Sequence, residues 1–247
     1  MQRFLTAILA LCALLLIVSV VRRHQANEAR RAAFAAEAET AATDSGPPPM
    51  PDATRRAARA LLARDAGQTY LDSLLASTDS LVRRWPDRGG PSLRLAILEG
   101  GAPDYHPRMA GFVRQAASAW ETVGAGLWFT YTRDTAEADI IVSWQKQFGN
   151  GNQAGRTDLR WSSAGPVVRA YVSLATRNAG DSLFTDTALL GTAVHELGHA
   201  VGMPHSSDSS DVMFPVTRVT ELSARDRSTA RLLYALPPGS LRDPGPR

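Results

Sequence analysis

His195, Glu196, His199 and His205 fall within one run, His195-Glu196-Leu197-Gly198-His199-Ala200-Val201-Gly202-Met203-Pro204-His205. On a helix, residues four apart project from the same face about one turn from each other. Two imidazoles at that spacing can meet one zinc ion at about 2.0–2.1 Å. Glu196 stands next to His195, where its carboxylate faces a water on the metal and not the metal itself. Gly202 has the backbone freedom to end the helix and turn the chain. The chain can then bring His205 back as a third ligand. Three protein ligands leave a coordination position for water, which separates a catalytic zinc site from a closed structural one. Zinc so held acidifies its water toward a pKa of ~7, and Glu196 can take the water's proton and pass it to a leaving amine. The metal would also be the main stabiliser of an oxyanion.

Histidines on an ordinary helix are the competing explanation. That explanation must also place three of the chain's five histidines within eleven residues. His24 and His106 read as surface residues.

The elements that must position this run read as α+β. Leu93–Leu98, Leu127–Tyr131, Asp139–Trp144, Thr157–Trp161 and Val167–Leu174 have the alternation or the β-branched and aromatic content of strands. Pro107–Val123 is helical, with Phe112, Val113, Ala116 and Trp120 on one face. Thr187–Val201 is the helix of the histidines, and a last helix runs over Ser223–Leu233 behind a Ser223 cap. Gly149-Asn150-Gly151-Asn152 is a turn.

Upstream, Phe4–Val21 is an uncharged apolar run of 18 residues, about 27 Å long as a helix. Residues 1–22 are therefore expected as a membrane anchor, with a cleavable signal peptide as the alternative. An Ala/Pro-rich linker follows over 23–52, ending in Gly46-Pro47-Pro48-Pro49-Met50-Pro51. Residues 53–89 carry a helical pattern to about Trp85, interrupted at Gly67, and read as a stalk or N-terminal extension. The main domain is expected over 90–236 and a tail over 237–247.

Composition excludes several classes. The net charge is +3, but residues 91–247 hold 15 basic and 15 acidic residues, and the excess lies in residues 1–90, with 12 against 9. No basic stripe suits nucleic acid. Cys12 is the only cysteine, so no internal disulfide, thiolate zinc site or soluble Cys nucleophile exists. All basic residues but Lys146 are Arg, a bias that fits a GC-rich bacterial genome. Nothing in the sequence sets an oligomeric state.

His195–Asp208, HELGHAVGMPHSSD, resembles the zinc signature of metzincins, and its His-Ser-x-Asp ending is similar to that of the matrixins, the matrix metalloproteinase family. Ser210-Asp211-Val212-Met213-Phe214-Pro215 resembles the family's Met-turn. Leu222-Ser223-Ala224-Arg225-Asp226, continuing to Leu233-Tyr234, resembles its C-terminal helix. With Ala138–Val142, the likeness covers about residues 91–236.

The resemblance implies a zincin/metzincin fold: a twisted mixed sheet packed on helices, the zinc helix at the floor of a cleft, and a small C-terminal subdomain after Gly202. It implies a zinc metalloendopeptidase with Glu196 as general base and an extended polypeptide pairing antiparallel to the edge segment Gly155–Ser162. It makes Met213 a hydrophobic base beneath the histidines, Asp226 a brace for the Met-turn, and Asp208 a support for the third-ligand loop. A zinc-binding module that holds peptides without cutting them is the alternative, separated by chelator-sensitive cleavage. The family's second zinc is not expected, since no histidine lies between 106 and 195. A cysteine switch is excluded as well. Calcium sites, common in the family, stay open, with no dense Asp cluster to mark one. Thr217 stands where many relatives have Tyr. The charges flanking the apolar run favour a cytoplasmic C-terminal part, whereas the resemblance implies a catalytic domain outside the cytoplasm, tethered or, after cleavage, secreted.

Overall fold

In the computed structural model, residues 50–77, 80–87, 92–149, 153–162 and 166–243 are described. The expected anchor over 1–22 and nearly all of the linker lie outside these residues. Among the described residues no helix is long and apolar enough to cross a membrane.

The elements are α1 (Asp52–Arg64), α2 (Leu71–Ser77), β1 (Leu81–Val82), β2 (Leu93–Ile97), α3 (Arg108–Glu121), β3 (Phe129–Thr132), β4 (Ile140–Gln145), β5 (Gly155–Trp161), β6 (Val167–Ala175), α4 (Asp186–Ala200), α5 (Ala224–Ala235) and β7 (Gly239–Ser240). The main sheet has the order β3-β2-β4-β6-β5. Its first four strands are parallel, and β5 joins β6 antiparallel, which leaves β5 at one edge. The sheet is therefore mixed. β2 buries Leu93, Leu95 and Ala96 while Arg94 between them is exposed, and β4 alternates buried Ile140, Val142 and Trp144 with half-buried neighbours, so each strand turns one face to the core.

Helices α3 and α4 pack on each other. Trp120 of α3 is fully buried and its indole N–H donates to the Val194 carbonyl of α4 at 2.9 Å, so this large ring loses no hydrogen bond on burial. Beneath α4 the core continues through Leu197, Met213 and Leu233.

The helical pattern of residues 53–85 divides. α1 ends at Arg64, and Gly67 sits at φ +81°, where the chain turns. Leu81 and Val82 leave the helical path and pair with Gly239 and Ser240 as an antiparallel two-stranded sheet. A short apolar run fits a strand or a helix equally by periodicity, and here long-range pairing decides. This segment is bound into the domain. Tyr70 donates its hydroxyl to Asp226 at 2.6 Å, the Arg84 guanidinium donates to the Leu236 carbonyl at 2.6 Å, and the Trp85 indole donates to the Ala200 carbonyl at 2.8 Å. The C-terminal residues also take part, with Leu241 buried and its N–H bonded to the Ser80 carbonyl.

Candidate metal centre and active site

α4 begins at Thr185, whose hydroxyl caps the Ala188 N–H. It ends in a Schellman turn: the Met203 N–H returns to the Gly198 carbonyl and the Gly202 N–H to the His199 carbonyl, both at 2.9 Å. Gly202 has φ +96°, and a Cβ there would stand 2.8 Å from the Arg83 carbonyl oxygen. Both the turn and the packing of residue 83 thus demand glycine. The reversal carries the chain back over the helix end and brings His205 to His199.

Three imidazoles converge. His199 Nε2 lies 3.1 Å from His195 Nε2 and 3.1 Å from His205 Nε2. Two ligands of a tetrahedral zinc stand about 3.3 Å apart, given metal–nitrogen bonds of about 2.0–2.1 Å. The opposite ring nitrogens are occupied. His195 Nδ1 donates to the Val212 carbonyl at 2.8 Å, and His199 Nδ1 to the Met203 carbonyl at 2.8 Å, which fixes the tautomer with Nε2 bare. Burial pushes all three imidazoles down, His199 to about 3, so the rings are neutral and their lone pairs free for a metal. The donor set and its spacing fit zinc.

Glu196 is almost fully buried beside this trio, with its carboxylate against β5. Burial pushes its carboxyl up to about 7, opposed by a hydrogen bond from the Thr157 hydroxyl. A carboxyl poised there can both accept and return a proton near neutral pH.

Met213 is buried under α4. A Cβ on Gly198 would fall 2.3 Å from the Met213 sulfur, so this glycine, between the two helical histidines, makes room for the methionine. Asp226 accepts from the Val212 N–H at 2.9 Å and closes a capping box with Ser223 at the start of α5. Val212 therefore links Asp226 to His195 through its two backbone groups. Asp208 lies at an exposed turn, bonded to Ser210, with Arg225 at 3.5 Å. The buried carboxylate beside the His205 loop is Asp211, which accepts from the hydroxyls of Ser206 and Ser223. Its position within the Met-turn motif gave no sign of this role, because burial of one Asp and exposure of another three residues away depends on the fold of the loop.

Thr217, singled out as a departure, stands 2.8 Å from His195 Nδ1. Its hydroxyl also faces the carbonyls of Val212 and Phe214 at 3.2 and 3.3 Å. It thus shares the His195 proton with Val212 and helps to orient the ring. Replacing Thr217 with Val is expected to weaken zinc binding by about tenfold, the size typical of groups that hydrogen-bond the far nitrogen of a ligating histidine. Competition with a metal chromophore checks this, and unchanged affinity would leave Val212 as the sole orienting group. His106 accepts a hydrogen bond from the Arg108 N–H and takes no part in the centre.

The site opens into a cleft of about 810 Å³, lined by Gly155 and Thr157 of β5, the three histidines, Glu196, Phe184 and the Pro215–Thr217 segment. The loop between β6 and α4 forms a further wall, held by paired hydrogen bonds from Arg177 to Asp104 at 2.7 and 2.8 Å.

Fold and site together have a metzincin-type arrangement: a mixed sheet, a floor helix with two of the converging histidines, the third after a glycine turn, and a methionine beneath. The matrixin family model matches residues 104–235, more than half of the chain, and the protein belongs to that family. It is 33% identical to macrophage metalloelastase of Rattus norvegicus over 120 residues, covering 44% of this chain and 26% of that protein. It is 28% identical to stromelysin-3 of Xenopus laevis over 149 residues, covering 55% and 30%. The chain thus spans less than a third of the length of these relatives. Among solved structures it is similar to myroilysin, at 16% identity and a TM-score of 0.42, over 63% of this chain and 96% of that one.

Proposed function

We propose that this protein is a zinc metalloendopeptidase that hydrolyses peptide bonds of extended polypeptides. The observation that carries the reading is the convergence of three imidazole nitrogens beside a buried carboxylate. Zinc in this site supplies a Lewis acid and an acidified water. Glu196 is the general base that takes a proton from the attacking water and returns it to the leaving amine. β5 is the edge strand of the sheet that borders the cleft, β3 being the other edge, which supports an extended substrate adding to β5 as an antiparallel strand. His195 and His199 are held by backbone carbonyls, so their geometry is set before a substrate arrives. Digestion of a peptide library by the purified protein with zinc, with and without a chelator, tests the reading. Cleavage that stops with chelator and returns with zinc is expected, and chelator-insensitive cleavage would overturn it.

The same reading includes a tether: the apolar run Phe4–Val21 holds the catalytic domain at a membrane, outside the cytoplasm. A reporter enzyme active only outside the cytoplasm, fused after Arg247, is expected to be active. A silent reporter would place the domain inside.

A further inference from the structure

Gly155 and Thr157 are two residues apart on β5, so their side-chain positions share one face of the strand. That face meets α4 at Glu196. The Thr157 hydroxyl lies 2.6 Å from Glu196 Oε2 and 2.9 Å from the Glu196 carbonyl oxygen. At Gly155, a Cβ would stand 2.5 Å from Glu196 Cγ and 2.6 Å from Oε1. One carboxylate oxygen is therefore held by a hydroxyl, and the other lies where only a hydrogen atom fits. Arg156, between them, pairs instead with Asp158 at 2.7 Å.

We propose that Thr157 is a positioning residue for the catalytic carboxylate, holding Glu196 in its working orientation within the space that Gly155 leaves. The proposal rests on Glu196 being the general base. A hydroxyl suits the task because it both donates and accepts. It donates to Oε2 while the group is a carboxylate. When the group carries the water's proton, the hydroxyl can accept from it and turn its own hydrogen to the Glu196 carbonyl. One side chain thus keeps the base in register before and after proton transfer. An apolar residue of the same shape would fill the volume and hold neither form. The edge strand on which a substrate would lie then also aligns the base, through alternate residues of one short segment.

The test compares Thr157→Val, which keeps the shape and removes the hydroxyl, with Thr157→Ser, which keeps the hydroxyl. For zinc-loaded Thr157→Val, kcat is expected to fall by about 10- to 100-fold with KM within about twofold, the pattern of a misplaced catalytic group. Thr157→Ser is expected to recover kcat to within about threefold of the parent. Gly155→Ala, which crowds the carboxylate, is expected to lower kcat by about as much as Thr157→Val. A readout independent of activity comes from crystal structures of the zinc-loaded proteins, in which the Glu196 carboxylate is expected to leave its place in Thr157→Val and keep it in Thr157→Ser. The proposal is overturned if kcat of Thr157→Val stays within about twofold of the parent, if Ser and Val variants fall alike, or if the carboxylate does not move. Loss of zinc from Thr157→Val would also overturn it, since the residue would then support the metal. Full activity of Glu196→Ala on the same peptides would instead sink the hydrolytic reading, and the crystallographic comparison would still decide whether Thr157 positions the side chain.

Discussion

Replacing Glu196 with Ala is expected to reduce peptide cleavage by about 10³-fold or more while zinc stays bound. General acid–base groups contribute about 10²–10⁴-fold, and this one residue is assigned both proton transfers. Zinc should remain because the converging atoms are the three imidazole nitrogens, each of His195 and His199 being oriented by a backbone carbonyl that the substitution does not touch. Stability should not suffer either. The carboxyl is buried and its pKa raised to about 7, so ionising it in the folded protein is unfavourable, and removing it relieves that cost. Glu196→Gln adds a control that keeps the shape and an oxygen for Thr157 without a base. Steady-state kinetics, metal analysis and thermal melting of the parent and both variants decide the matter. Residual activity near that of the parent in either variant would remove Glu196 from the chemistry.

The second large effect concerns stability. Asp226→Ala is expected to cost about 3–5 kcal/mol, a large part of the roughly 5–15 kcal/mol that holds a domain folded. Asp226 is wholly buried and accepts from the Tyr70 hydroxyl at 2.6 Å and from the Val212 and Ser223 N–H groups at 2.9 Å. Burial and the neighbouring carboxylate push the Tyr70 hydroxyl up, so it stays a donor. With the carboxylate gone, these donors are stranded in a dry interior, each at about 1–3 kcal/mol. The loss should reach the metal centre as well, because Val212 supplies the carbonyl that orients His195. Denaturant unfolding with and without zinc measures both effects. A change under about 1 kcal/mol would show that solvent or a rearranged chain replaces the lost bonds.

Much of the molecule was legible along the chain. Helices α3, α4 and α5 and strands β2, β4 and β6 fall within a few residues of where periodicity and side-chain type put them, because each buries a stripe or face, and the half-buried edge strand β5 starts two residues before its expected place. Leu81–Val82 and Gly239–Ser240 were not legible as strands. Each is a two-residue piece whose partner lies at the far end of the domain, and local pattern holds no information about such a pairing. The same distance in sequence hid the contacts of Tyr70, Arg84 and Trp85 with the C-terminal half.

At the site, spacing alone determined that His195 and His199 share a face, that Glu196 lies beside them, and that Gly202 lets His205 return. These follow from the geometry of one helix and one turn, which are local. Only the tertiary structure decided what surrounds them. Val212 and Met203 choose the histidine tautomers, Thr217 takes the place beside His195 that analogy left undefined, and Asp211 rather than Asp208 is the buried carboxylate of the ligand loop. It also decided that Gly155 and Thr157, some forty residues before Glu196, close around its carboxylate. The three converging histidines are a property of eleven consecutive residues. Their orientation and the placement of Glu196 come from sheet edge, Met-turn and last helix packing against one another, and no local pattern encodes that packing.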